Sequence, residues 1–138
     1  MFNMAMLIGW VGRPPKVQDN LGEDAKKLVT ISLATKRKWT DLDGRKHEIT
    51  TWHTIEGWEN QAFILENVAP GDEIAVMGYI KNEVHEGKFH SAVVAQRIFR
   101  LKTKDTGRAQ QRENLVAFVH SLDDHDRQVV RKLLREGP

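Results

Sequence analysis

The sequence predicts an all-β domain with small helical additions: a five-stranded Greek-key barrel, a short helix between its third and fourth strands, and a C-terminal helical segment. Three observations carry this reading. Apolar and polar residues alternate on either side of Asp41-Leu42-Asp43-Gly44, and Asp-Gly is a strong hairpin turn signal. Residues 59–68 lack that alternation, and Ala62, Leu65 and Val68 repeat there with the helical period instead. Three β runs precede this helix and two follow it, with a change to polar, then amphipathic sequence after Leu101.

Taken in order, residues 4–10 form a first strand, ended by Gly12 and Pro14-Pro15. Residues 19–24 read as a polar loop. The second strand covers 28–38, with Val29, Ile31 and Leu33 on one face and Thr30, Ser32, Ala34 and Lys36 on the other. The third covers 46–55. After the helix, Pro70-Gly71-Asp72 makes a turn, 73–84 the fourth strand and 88–101 the fifth, joined at Glu86-Gly87. This order is that of the OB-fold, whose barrel binds oligonucleotides on one open face. Residues 1–101 are the expected OB-fold domain, 102–111 a polar linker and 112–138 a helical tail. In the tail Leu115, Val116, Phe118, Val119 and Leu122 fall at helical spacing. Ser121, with Asp124 three residues on, is placed to start a second helix whose stripe is Val129, Val130, Leu133 and Leu134. Acidic residues near its start and basic ones near its end suit the helix dipole, and Gly137-Pro138 suits its stop.

The stretch 33–58 holds three of the four tryptophans and the cations Lys36, Arg37, Lys38, Arg45 and Lys46. Side chains in a strand repeat every second residue. Thr50, Trp52, Thr54, Glu56 and Trp58 therefore share one face, and Thr51, His53 and Ile55 the other. Trp52 and Trp58 fall in step with polar residues, on a face that should be open. Exposed indoles beside cations suit a ligand with flat rings and negative charge, which is single-stranded nucleic acid. A hairpin with solvated lysines and core tryptophans is the plainer alternative.

Composition narrows the class. At 138 residues the chain suits one domain plus an appendage. It has no apolar stretch of membrane-spanning length and no basic leader ahead of its first strand, so no signal peptide is expected. Cysteine is absent, which removes disulfides and thiolate metal sites and fits a cytoplasmic protein. The net charge of +2 lies wholly in residues 102–138, because residues 1–101 hold 13 basic and 13 acidic side chains. Any attraction for phosphate must come from local clusters.

The same residues carry a family resemblance. Leu33-Ala34-Thr35, Trp39, the acidic Gly-containing turn and Thr51-Trp52-His53 resemble the bacterial single-stranded-DNA-binding proteins. The run from Met6 through Gly9-Trp10-Val11-Gly12 to Pro14-Pro15 is similar to that family's opening, and Pro70-Gly71-Asp72 through Ile80 to its fourth strand. The likeness spans about residues 4–101. It implies an OB-fold, a homotetramer with DNA wrapped across subunits, and roles in replication, recombination or repair. By this resemblance Trp39 and Trp52 match positions that present rings to bases, and Trp58 stands where the family usually has a phenylalanine. Trp10 stands where it commonly has an asparagine, and either extends the stacking track or packs on the barrel end. His53 falls near a subunit contact. The fourth-to-fifth strand hairpin is short and lacks the family's further tryptophan, so either the binding site is smaller or Phe89 substitutes for it. Tyr79 is either a groove or a core residue. Arg13, Lys36, Arg37, Lys38, Arg45, Lys46, Lys81 and Lys88 are the candidate phosphate contacts.

The tail departs from the family, whose members usually end in a flexible segment with an acidic, partner-recruiting tip. Here the chain ends Arg135-Glu136-Gly137-Pro138, so partners would dock through the helices rather than through an acidic tip. The apolar stripes predict that these helices pack on their own barrel or on a neighbouring subunit. No catalytic residue, cofactor or metal is implied: the six histidines show no ligand spacing, and Gly9-x-x-Gly12 lacks the Lys-Ser/Thr of a phosphate loop. The chain thus reads as a binder of single-stranded DNA without strong sequence preference. The alternative is an OB-fold protein-interaction or replication-restart module with weak nucleic-acid binding.

Overall fold

A computed structural model describes residues 1–21, 26–103 and 106–136, with the side chains of 20, 21 and 133–136 excluded. The elements are β1 (Ala5–Val11), β2 (Lys16–Leu21), β3 (Lys26–Thr40), β4 (Lys46–Trp58), α1 (Asn60–Glu66), β5 (Glu73–His85), β6 (Lys88–Lys102), α2 (Arg108–His120) and α3 (Asp124–Glu136). One sheet runs β1-β5-β6-β4-β3-β2, and β1 also pairs with β3, so five strands close into a ring. All pairings are antiparallel except β4 with β6, which meet in parallel at Ile55–Val93 and Glu56–Val94. This is the expected Greek-key barrel.

The ring is filled from alternate positions. Val29, Ile31 and Leu33 of β3, Ile55 of β4, Ile74 and Val76 of β5, and Val93 and Ala95 of β6 make one buried core with Val11. Helix α1 plugs one end through Ala62 and Leu65, with Val68 just beyond it. The helix sits hard on β4 at Gly57, where an added Cβ would lie 2.7 Å from Leu65 Cδ1.

Two hairpins extend past this core. The β3–β4 hairpin closes at 41–45, where Asp41 O accepts from Gly44 N, Asp41 N donates to Arg45 O, and Gly44 has φ 81°. That is a turn followed by a left-handed glycine, the three-residue hairpin loop. Asp41 Oδ1 accepts from the backbone N–H of Asp43 and Arg45 and fixes the turn. The β5–β6 hairpin turns on Glu86 (φ 53°) and Gly87 (φ 76°), the two positive φ values a type I′ turn requires. Because β4 and β6 run parallel, both tips point to the same end of the barrel.

The sheet has a second apolar face. Met6 and Ile8 of β1, Ala75 and Met77 of β5, and Phe99 and Leu101 of β6 pack outward against Phe118, Val119, Leu122 and Val130 of the tail. Phe118 is fully buried and meets Phe99 at 5.3 Å between ring centroids. The described part of the tail therefore packs on its own barrel, the first of the two expected placements. Arg127 locks the junction of α2 and α3 by donating to the carbonyls of Val119, His120 and Leu122.

Four local expectations change. Residues 16–21 form an edge strand on β3 rather than starting a loop at 19; being largely exposed, it carries no alternation to read. Helix α2 begins at Arg108, inside the expected linker, because its first turn is polar. The cap of α3 is Asp123, whose Oδ1 accepts from Asp126 N, while Ser121 Oγ donates back to Phe118 O and ends α2. Val116 and Val129 belong to the apolar repeats yet face outward. The expected stripe residues Leu133 and Leu134, the stop at 137–138 and loop residues 22–24 lie outside the description.

Candidate nucleic-acid interface

Pairing register places the tryptophans. Directly paired residues on adjacent strands share a sheet face. Ala34 pairs with Trp10 of β1 on one side and with Trp52 of β4 on the other. The three form one row on the outer face, with the indole-bearing strands about 10 Å apart at the backbone. Trp52 is 61% exposed and Trp10 37%. Trp58 lies on the same face, opposite Leu28, and is half-buried.

The seat of Trp52 is Gly12. A Cβ there would stand 2.2 Å from Trp52 Cζ3 and 3.1 Å from Ser32 Oγ, so the ring rests against bare backbone. Ser32 Oγ, beside it, is buried and has no hydrogen-bond partner. Gly9 is constrained in the same way, since its Cβ would meet Ala34 O at 2.2 Å. Gly9 lets β1 press close onto β3, and Gly12 leaves room for the Trp52 ring. Sequence reasoning used them only as turn and motif residues; a small residue at 34 within a branched strand was the available signal.

Trp39 does not join the row. It pairs with His47, which puts both on the opposite face of the hairpin from Trp52, stacked at 5.2 Å with planes 18° apart. Arg37 covers Trp39 at 5.4 Å, and His47 Nε2 contacts Asp41 Oδ2 at 2.7 Å. The His47 bond, then the Arg45 N–H, hold the Asp41 carboxyl below its ordinary value. Phe89 lies apart, at the β5–β6 tip opposite Val84, and is 69% exposed.

The cations differ in how free they are. Lys36 reaches over Trp10 at 5.8 Å, beside the row. It also pairs with Glu48 at 3.3 Å, as Lys38 does at 3.5 Å. The Lys36 hydrogen bond leads in lowering the Glu48 pKa. Lys81 is shared by Glu56 and Glu83. Burial works against its charge, but those two carboxylates outweigh it and raise its pKa. Arg13, Arg45, Lys46 and Lys88 are exposed and make no ion pair among the described residues. His53 lies on the inner face opposite Leu33; its Nε2 meets Thr35 Oγ1 at 2.8 Å, and burial lowers its pKa. Tyr79 is partly exposed rather than core.

Among the described residues no cluster of His, Asp or Glu is arranged to hold a metal, and no helix is long and apolar enough to cross a membrane. The family model described as the single-strand binding protein family matches residues 2–101. The chain belongs to that family. A single-stranded DNA-binding protein of Rickettsia felis is 28% identical over 90% of this chain and 92% of its own length. One from Neisseria meningitidis is 31% identical over 62% of this chain and 49% of its own, so the chain spans about half the length of that relative. Among solved structures, the Plasmodium falciparum protein in complex with ssDNA is similar with a TM-score of 0.64 and 25% identity, covering 74% of this chain and 96% of that one. The Thermus aquaticus single-stranded DNA binding protein, 22% identical with a TM-score of 0.64 over 75% of this chain and 52% of its own, shares the fold.

Proposed function

We propose that this protein binds single-stranded DNA without strong sequence preference and protects exposed strands in replication, recombination or repair. The observation that carries the reading is the Trp10–Ala34–Trp52 row, two exposed indoles flanking a small residue on one open face. A base laid over Ala34 meets a ring on either side, and stacking of this kind contributes about 1–3 kcal/mol per base whatever its identity. Trp58 lengthens the platform along β4. Lys36 and Arg13 supply charge beside it, Arg37 supplies charge with Trp39 on the other face of the hairpin, and Arg45, Lys46 and Lys88 supply charge at the hairpin tips. Trp39 and Phe89 would engage a strand only where it passes between or around the tips. The work is binding without bond chemistry, and the compartment is the cytoplasm.

The resemblance further suggests a homotetramer, with His53 near a subunit contact. The 1–101 domain would bind DNA and the tail would serve as its buttress. Titration of indole fluorescence with oligo-dT tests the central reading, and strong quenching with saturable binding is expected. An unquenched signal with no measurable affinity overturns it in favour of a protein-interaction module.

A further inference from the structure

Beside the aromatic row lies a groove of about 510 Å³ that the row's own residues do not explain. It is lined by Glu73, Lys102, Arg108, Gln111, Arg112 and Leu115, so one wall is the barrel and the other is helix α2. Its position follows from register. Glu73 pairs with Trp10 on one side and Lys102 on the other. The groove therefore begins one strand, about 5 Å, beyond Trp10.

Its electrostatics are one-sided. Arg108 and Arg112 make no ion pair among the described residues, in contrast to Lys36 and Lys38, which share Glu48. Both arginines sit in the opening turns of a 13-residue helix that has no acidic residue in its first turn and no side-chain cap. Positive side chains there oppose the helix dipole, whose N-terminal end itself attracts anions. A bound anion would satisfy the arginines, the dipole and the uncapped N–H groups together. Glu73 is the one carboxylate lining the groove; burial raises its pKa, and Lys102 partly offsets that. Against that single carboxylate the groove sets three cations, Lys102, Arg108 and Arg112.

We infer that Lys102, Arg108 and Arg112 form a phosphodiester-binding subsite that carries a single strand from the Trp10–Ala34–Trp52 row onto helix α2, making the tail part of the nucleic-acid surface. The inference rests on the reading of the row as a single-stranded-DNA platform. It assigns the tail helix a ligand contact in addition to its packing.

The test uses the full chain with oligo-dT over a range of salt. Each phosphate contact on a single strand contributes a log–log slope of about −0.7, so R108Q/R112Q should bind more weakly with a slope shallower by about 1.4. E73Q, which leaves both arginines in place, should bind more tightly than the unmodified chain. A circular-dichroism spectrum unchanged from the parent establishes that α2 persists in the double variant; if it is lost, K102Q and E73Q carry the test, with opposite changes in affinity expected. Wild-type binding with slopes and affinities unchanged in these variants overturns this inference alone. No binding by the wild-type chain overturns the functional reading itself. Capture of a poly-glutamate peptide that R108Q/R112Q abolishes, with the oligo-dT slope unmoved, assigns the groove to an acidic protein segment and also overturns the proposal.

Discussion

Strand β1 contributes outward-facing side chains to two regions with opposite fates. Met6 and Ile8 lie beneath α2 and α3 in a closed apolar layer, whereas Trp10, two residues further on, stands in the open. The alternation is the same and the sheet face is the same; only the cover differs. The covered part is built from aliphatic residues and Phe99, several of them partly buried, against the buried Phe118, Val119, Leu122 and Val130 of the tail. The open part is built from indoles seated on glycine and alanine, beside cations. Large rings on this sheet face are core where a helix lies over them and stay exposed where none does.

The sharpest way to break this contrast is Phe118→Ala. It removes a fully buried ring from the covered layer and should lower stability by about 3–5 kcal/mol in chemical denaturation, while the row's own residues keep their places. Trp52→Ala should do the reverse. Oligo-dT affinity should fall by about 1–3 kcal/mol with the denaturation midpoint nearly unchanged. A variant that unfolds would make Trp52 a core residue and erase the distinction. Gly12→Ala sharpens it further. The added methyl collides with an exposed ring that can swing away, so the overpacking cost should stay at or below about 1 kcal/mol, the bottom of the usual range. Fluorescence quenching by oligo-dT should nevertheless fall, because the displaced indole no longer lies in the row.

Replacing Lys36, Arg37 and Lys38 together should flatten the salt dependence by at most about 2, three contacts at 0.7 each. The Glu48 pairs of Lys36 and Lys38 argue for less. The smallest effect concerns His53. Burial lowers its folded pKa below the ordinary 6.5, so around that value the unfolded chain binds more protons than the folded one. Its contribution to stability is full above 6.5 and is lost as pH falls through the depressed folded value. His53→Gln should remove that part of the acid-side decline in melting temperature, and identical pH profiles for the two proteins would show the imidazole is not responsible.

Much of this architecture was legible because period-two alternation and turn chemistry are local. The runs around Asp41–Gly44 and the Glu86-Gly87 turn need no distant information. Strand β2 was hidden because an exposed edge strand such as 16–21 has no buried face to impose a pattern. The first turn of α2 was hidden for the same reason, since Arg108 to Gln111 carry no apolar stripe. At the site, strand parity was enough to set Trp52 and Trp58 on one face. The row through Trp10, Ala34 and Trp52 was out of reach, because it crosses three strands whose register is fixed only by barrel closure. The same parity across a hairpin sets Trp39 on the other side, although the family resemblance matches it, like Trp52, to a ring-presenting position.

The parallel seam of the barrel has a mechanical meaning. The β3–β4 ladder runs unbroken from Leu28–Trp58 to Thr40–Lys46, and the β5–β6 ladder reaches His85–Lys88, so each arm is laced along its whole length. Between β4 and β6 the backbone pairs at Ile55–Val93 and Glu56–Val94, with the Lys81–Glu56 ion pair beside it. Each arm is thus braced by its own ladder, and the two meet side by side over a short seam. Any change in the spacing of the two tips would therefore bend that seam and leave the hairpin ladders as they are.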